Sequence, residues 1–201
     1  MVITEFKRVG KSNKIKIYVD GEYYATLLDE TVVSNNLKLN VEYSEKFLND
    51  VVDSGQNLLA LDTGLKILSL FLKTELELRN YLKGKGFNNN AIEFAVSKLK
   101  GYNYLNDEHY VQNYIETRRH KKGKKAIKYE LKLKGISEEL IEKYLENLIE
   151  NQINEIEVIA NKFVKNKDKN AKLKEKLFRH LTAKGFDFEE INMVIKEIFK
   201  N

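Results

Sequence analysis

From Leu58 to the end of the chain, apolar residues recur at steps of three and four, the spacing of one face of an α-helix. Three such stripes run Ile92, Val96, Leu99; then Ile141, Leu145, Leu148; then Ile191, Ile195, Ile198. Each follows a version of one short phrase: Leu-Arg-Asn-Tyr-Leu-Lys-Gly-Lys-Gly-Phe at 78–87, Ile-Lys-Tyr-Glu-Leu-Lys-Leu-Lys-Gly-Ile at 127–136, and Leu-Phe-Arg-His-Leu-Thr-Ala-Lys-Gly-Phe at 177–186. The copies start roughly 50 residues apart, which is the signature of an internal structural repeat.

The phrase reads as a helix stop. Gly86, Gly135 and Gly185 stand where a helix leaves through a left-handed residue, a conformation that costs glycine nothing sterically. The apolar residue after each glycine and the Leu four before it are the partners that a Schellman motif joins: Leu82 with Phe87, Leu131 with Ile136, Leu181 with Phe186. Asn88, Ser137 and Asp187 then cap the next helix. Each copy is a helix–Gly–helix corner that cannot bury its stripe alone, so the copies must pack as an array.

The first segment has another period. Val2, Ile3 and Phe6 lead in, residues 14–19 alternate, and Asp20-Gly21 separates them from Tyr23, Tyr24 and Leu27, a strong hairpin signal. Short helices are expected at 29–36 and at 44–52, the latter capped by Ser44, with Ser54-Gly55-Gln56-Asn57 as a connector. The predicted fold is mainly α: a 1–57 domain with a β-hairpin, then three-helix repeats at 58–102, 103–150 and 151–201 in an elongated curved array. Within them, helices are expected near 58–72, from Thr74, at 89–100, from Asn106 to 119, at 123–134, 138–150, 152–165, 171–184 and 188–199, with a polar break at 166–170.

Composition narrows the function. Apolar residues at 42% suffice for a core, and charged residues at 32% demand a large solvated surface. No stretch is long and apolar enough to span a membrane, and the start lacks the apolar run of a signal peptide. The absence of cysteine excludes disulfides and thiol catalysis and points to the cytoplasm. The absence of proline leaves punctuation to glycine and to Asx and Ser caps. A net charge of +5 permits contact with nucleic acid without requiring it.

No catalytic constellation emerges. His109, His120 and His180 fit no zinc spacing and read as solvated helix-surface residues. No Walker-type phosphate loop is written, and Asp107-Glu108 and Glu138-Glu139 fall in first turns, where carboxylates suit the helix dipole. The expectation is a protein with no catalytic, cofactor or metal site.

Basic clusters are the remaining signal. Arg118, Arg119, Lys121, Lys122, Lys124, Lys125, Lys128, Lys132 and Lys134 crowd one stretch, opposed within it by Glu130 alone. Backbone N–H groups near Gly123, at a helix join, could also meet an anion. A second set, Lys162, Lys165, Lys167, Lys169, Lys172, Lys174, Lys176 and Arg179, surrounds the polar break. A solvated lysine surface explains any one of them equally well; two patches, one per repeat, favour a polyanion or an acidic protein groove. If about six of them meet phosphates, log affinity falls with log salt at a slope of roughly −5 for duplex and −4 for single strands. Tyr102, Tyr104, Tyr110 and Tyr114 lie nearby in sequence and could stack on bases, although the spacing of Tyr110 and Tyr114 favours core packing.

These features together resemble the RecX family, regulators of the RecA recombinase. Asn103-Tyr-Leu-Asn-Asp-Glu-His-Tyr-Val111 is similar to the family's Gly-Tyr-Leu-[Asn/Asp]-Asp-Glu-Arg-[Phe/Tyr]-Ala, and Gly123, Ile127, Glu130-Leu131 and Lys134-Gly135-Ile136 follow its next phrase. Glu77-Leu78-Arg79 through Lys85-Gly86-Phe87, Arg179-His180-Leu181 through Lys184-Gly185-Phe186, and the Asp20-Gly21 hairpin extend the likeness to nearly the whole chain. Departures are Phe71-Leu72-Lys73-Thr74 where the family often writes Arg-x-Arg-Ser, Asn103 for glycine, and His109 for arginine. Arg forks are not reproduced by these residues, so charged contacts at those places do not transfer.

The resemblance implies a non-catalytic modulator, an inhibitor, that lies in the groove of the RecA–single-stranded-DNA filament, blocks its extension and lowers its ATPase and strand exchange. The implied partners are the RecA filament and single-stranded DNA, with duplex DNA as a further ligand, and the implied state is a monomer. The residues expected to face filament or nucleic acid are Arg118, Arg119, Lys121, Lys122, Lys124, Lys125, Lys128, Lys132, Lys165, Lys169, Lys172, Lys176 and Arg179. The alternative is a general DNA-binding or architectural protein that acts without RecA.

Overall fold

A computed structural model describes residues 1–148 and 151–200, and the chain divides into two compact units, Met1–Leu105 and Asn106–Asn201. The first unit opens with three strands, β1 (Ile3–Arg8), β2 (Lys14–Val19) and β3 (Glu22–Leu28), in an antiparallel sheet of order β1-β2-β3. The β2–β3 turn is the anticipated Asp20-Gly21 pair, both at positive φ (50° and 88°), which suits the right-handed twist of a hairpin. Ile3, Ile17, Val19 and Leu27 bury one face of the sheet. That face packs against α1 (Asp29–Ser34) and the start of α2 (Glu45–Leu68), which contribute Val32, Leu48 and Val51.

The connector expected at residues 54–57 is not there: α2 runs through it as one helix of 24 residues, replacing the two expected at 44–52 and 58–72. The reason lies at Gly55. A Cβ at this position would stand 2.3 Å from Leu27 Cδ2, so the glycine marks close approach of helix to sheet, not a break. Further along, Ala60 joins a second core with Leu78 and Leu82 of α3 (Glu75–Gly84) and Ile92, Val96 and Leu99 of α4 (Asn89–Gly101). One helix therefore serves two cores. A capping box starts α3: the buried Thr74 hydroxyl accepts from Glu77 N, and the Glu77 carboxylate accepts from Thr74 N, both at 3.2 Å.

The second unit holds two groups of three helices. The first comprises α5 (Asp107–Arg118), α6 (Lys124–Leu133) and α7 (Glu138–Leu148), around Val111, Ile115, Ile127, Leu131 and Ile141. The second comprises α8 (Ile153–Val164), α9 (Ala171–Ala183) and α10 (Phe188–Ile198), around Ile156, Leu177, Leu181, Phe186 and Ile191. The last two positions of the helix expected at 138–150, the side chain of Leu148 and Asn201 lie outside the described residues.

The corners are Schellman motifs. Gly86, Gly135 and Gly185 have φ of 87°, 81° and 81°. Phe87, Ile136 and Phe186 donate their N–H to the carbonyls of Leu82, Leu131 and Leu181 at 3.3, 3.2 and 3.4 Å, the bond that joins the last turn to the residue after the glycine. A fourth copy ends α4 with Asn103 at φ 59°, the conformation a glycine would take, and Tyr104 N donates to Leu99 O at 2.9 Å. Asn88, Ser137 and Asp187 each cap the helix that follows their corner.

Candidate polyanion-binding surface

The two basic stretches, alike in sequence, meet different fates. In the first, carboxylates arrive from outside the stretch. Lys128 pairs with Glu138 and Glu142 at 2.7 and 2.6 Å, and Lys132 with Glu138 at 2.8 Å. The mutual hydrogen bonds lower Glu138 to about 2 and raise Lys128 to about 12. Lys122 pairs with Glu130, which also accepts from the Tyr114 hydroxyl at 2.7 Å. Burial alone would raise the Glu130 pKa, but these two donors bring it below the ordinary carboxylate value. Burial, then the bond to Glu130, pushes the Tyr114 phenol up to about 12. Lys125 pairs with Asp187 at 3.1 Å, and Arg119 with Glu116 at 3.4 Å. Arg118 lies over the Tyr114 ring. Lys121, exposed after the end of α5, makes no ion pair with a described residue.

The helix N-terminus near Gly123, expected to be open to an anion, is filled by the protein itself. Gly123 N donates to Lys184 O at 2.9 Å, Lys124 N to Gln152 Oε1 at 3.0 Å, and Lys125 N to Gly185 O at 3.2 Å. These are the orphan donors of α6, satisfied by the corner between α9 and α10 and by one amide. Gln152 is 1% exposed, and its Nε2 donates to the carbonyls of Arg119 and Lys122 at 2.8 and 3.0 Å. Its own N–H donates to Glu190 Oε1 at 3.1 Å. The packing is tight: a Cβ on Gly123 would meet Gly185 O at 2.1 Å, and one on Gly185 would meet Ala126 N at 2.4 Å. The first stretch is therefore chiefly a joint between the two helix groups of the second unit.

The second stretch stays open. Lys172, Lys176 and Arg179 follow one another at steps of four and three on the exposed face of α9, opposite the buried Leu173, Leu177 and Leu181. Lys165 ends α8, and Lys165, Lys172, Lys174 and Lys176 make no ion pair with a described residue. Three neighbours are engaged. Lys169 Nζ donates to Ile198 O at 2.9 Å at the negative end of α10, Lys167 sits 4.0 Å over the Phe163 ring, and Arg179 pairs with Glu175 at 3.4 Å.

The two stretches meet in one groove of about 430 Å³, lined by His120 and Lys121 from the first, Lys162 from the second, and Val158, Ile159, Phe163, His180 and Lys184. His180 differs from the solvated histidine expected: it is half-buried and stacks on Phe163 with ring centroids 4.8 Å apart. Burial, then the charges of Lys184 and Lys167, depress its pKa below that of a free imidazole. His120 lies 3.3 Å from Glu155, and His109 is exposed in the first turn of α5. Three ammonium groups beside an aromatic stack and an exposed aliphatic wall suit a ligand with both negative charge and a flat or apolar part.

The tyrosines split as their spacing suggests. Tyr110 is 9% exposed and stacks on the half-buried Tyr114 at 5.9 Å, whereas Tyr102 and Tyr104 are 60% and 62% exposed. Gln152, Glu155 and Lys184 escaped the sequence reading. Lys184 was written in the repeated phrase itself, but Gln152 carries no local signal, because its partners lie 28 to 38 residues away.

Fold and surface define a helical-repeat protein with a small appended antiparallel sheet. Residues 106–145 match the family model for the RecX second three-helix domain. The chain is 34% identical to the regulatory protein RecX of Clostridium beijerinckii, over 94% of this chain and 92% of that one. It is 33% identical to the regulatory protein RecX of Caldanaerobacter subterraneus subsp. tengcongensis, over 97% and 98%. Among solved structures, RecX from Lactobacillus salivarius superposes with a TM-score of 0.66 at 25% identity, covering 72% of this chain and 97% of that one. The crystal structure of a regulatory protein RecX shares the fold over 96% of this chain and 98% of its own, with a TM-score of 0.70 at 24% identity. The chain belongs to the RecX family of regulatory proteins.

Proposed function

We propose that this protein is a non-catalytic inhibitor of the RecA recombinase that seats in the groove of the RecA–single-stranded-DNA filament, blocks its extension and lowers its ATPase and strand exchange. The observation that carries the reading is the likeness, over nearly the full length, to relatives named as regulatory RecX proteins. The repeats at 58–102, 103–150 and 151–201 act as linked contacts, each individually weak, that gain through effective concentration. The protein acts in the cytoplasm as a monomer. Lys121, Lys165, Lys172 and Lys176 face filament or nucleic acid; Arg118, Arg179 and Lys169 border that face. Arg119, Lys122, Lys124 and Lys125 contribute chiefly by holding the joint, and Lys128 and Lys132 by pairing with Glu138 and Glu142 of α7.

Added to RecA on single-stranded DNA, the protein is expected to suppress ATP hydrolysis below an equimolar ratio. No suppression at saturating protein overturns the reading. A pull-down of RecA without DNA separates it from DNA binding independent of RecA, which predicts no direct association and steep salt dependence.

A further inference from the structure

A second cationic hollow lies in the first unit. It is a cleft of about 500 Å³ between β2 and β3 on one side and α2 and α3 on the other. Lys14, Lys66 and Lys85 reach it from three separate elements, and no carboxylate lines it. Lys66 is partly satisfied by Asp62 at 2.8 Å and by Asn13 Oδ1 at 3.3 Å. Lys14 and Lys85 make no ion pair with a described residue. A cation or an amine would be repelled here; an anion would not.

The polar groups between the lysines narrow the anion further. The Tyr23 hydroxyl and Thr26 Oγ1 lie 3.0 Å apart, so whichever donates, the other keeps a hydrogen for an outside acceptor. Gln56, half-buried on α2, adds an amide. Tyr23 is 57% exposed, and Tyr81 and Phe87 present further ring surface. Ammonium groups and hydroxyl donors beside aromatic faces suit a group that carries charge and a flat ring together.

We infer that the Lys14–Lys66–Lys85 cleft is a nucleotide site, with the phosphate held by the lysines and hydroxyls and the base laid against Tyr23 or Tyr81. The same chemistry is offered by a free nucleotide and by one residue of a single strand. The inference does not rest on the recombinase reading, and its test contains no recombinase.

The test is a titration of the full-length, isotope-labelled chain, followed by amide chemical shifts, with thymidine 5′-phosphate, a short oligothymidylate and a hexaglutamate peptide as separate probes. Expected is saturable movement of the Thr26, Gln56 and Gly86 amides. Movement with the mononucleotide assigns the site to free nucleotides, and movement with the oligomer alone assigns it to strands. In Lys14→Ala/Lys85→Ala the movement should disappear, oligomer affinity should fall about tenfold or more, and its salt slope should flatten by about 1.4, two contacts' worth for a single strand. Tyr23→Ala, on the exposed rim, should weaken the nucleotide while sparing inorganic phosphate. Absence of movement, movement that survives the double substitution, or equal movement with hexaglutamate overturns the proposal.

Discussion

Residues 118–134 and 162–179 look interchangeable as strings of lysine and arginine, yet one is spent inside the fold and the other faces water. In the first, Glu138, Glu142, Asp187 and Glu155 approach from other helices and meet Lys128, Lys132, Lys125 and Arg119. In the second, Glu175 makes the one ion pair recorded among the described residues. Charge density along a chain therefore says little about the field outside it until the opposing carboxylates are located. The comparison turns a roster of thirteen candidate contacts into a short list headed by Lys165, Lys172 and Lys176.

Several substitutions can break this contrast. Gly123→Ala should have the largest effect, because its new Cβ would run into the Gly185 carbonyl, backbone that cannot step aside. A loss of about 3 kcal/mol or more is expected in denaturant melts. Gly86→Ala, with the same positive φ as Gly185 but nothing within 4 Å of its Cβ, should cost about 1 kcal/mol. Gly185→Ala, whose Cβ would meet Ala126 N at 2.4 Å, should cost more than Gly86→Ala, and equal losses at these two positive-φ glycines would show that backbone strain, and not the joint, sets the cost. Gln152→Ala strands one buried N–H and two carbonyls and should cost about 2–3 kcal/mol.

The charge contrast is tested by salt titration of oligonucleotide binding. Lys165, Lys172 and Lys176 changed together to alanine should flatten the log–log slope by about 2 with melting unchanged. The same change at Lys122, Lys128 and Lys132 should flatten it by less than about 0.5 and lower the melting temperature instead. The reverse order would sink the assignment.

The smallest effect concerns His180. Its folded pKa lies below the unfolded value, so the unfolded chain binds more protons between the two. Stability is complete above the unfolded pKa and declines as pH falls through it toward the depressed folded value. His180→Gln should remove that part of the pH dependence, readable in denaturant melts across pH, and a bound anion should raise the imidazole pKa, readable by NMR titration.

The corners were legible because their cause is local: a lysine, a left-handed glycine, an apolar residue and a cap, all within six positions. The sheet was legible through Asp20-Gly21 for the same reason. Gly55 was misread because a glycine that ends a helix and one that lets a helix lie close to a sheet look identical until Leu27 is known to be the neighbour. The charged surface was half legible: lysine positions are written in the chain, but their partners are chosen by packing. Gln152 was invisible, since a lone glutamine acquires meaning only from the three backbone groups around its amide.

The shared helix α2 also bears on how the chain can be cut. At about 1.5 Å per residue it is roughly 36 Å long, and its two halves belong to different interiors, Leu48 and Val51 to one and Ala60 to the other. A polypeptide begun at Leu58 would lose the first half of that rod and leave Leu78, Leu82 and Leu99 beside a frayed end. One stopped at Asn57 would strip the sheet of the support that continues past it. The leading strands and the first three-helix group are thus expected to melt together in a single transition, and a protease should find no soft site between them.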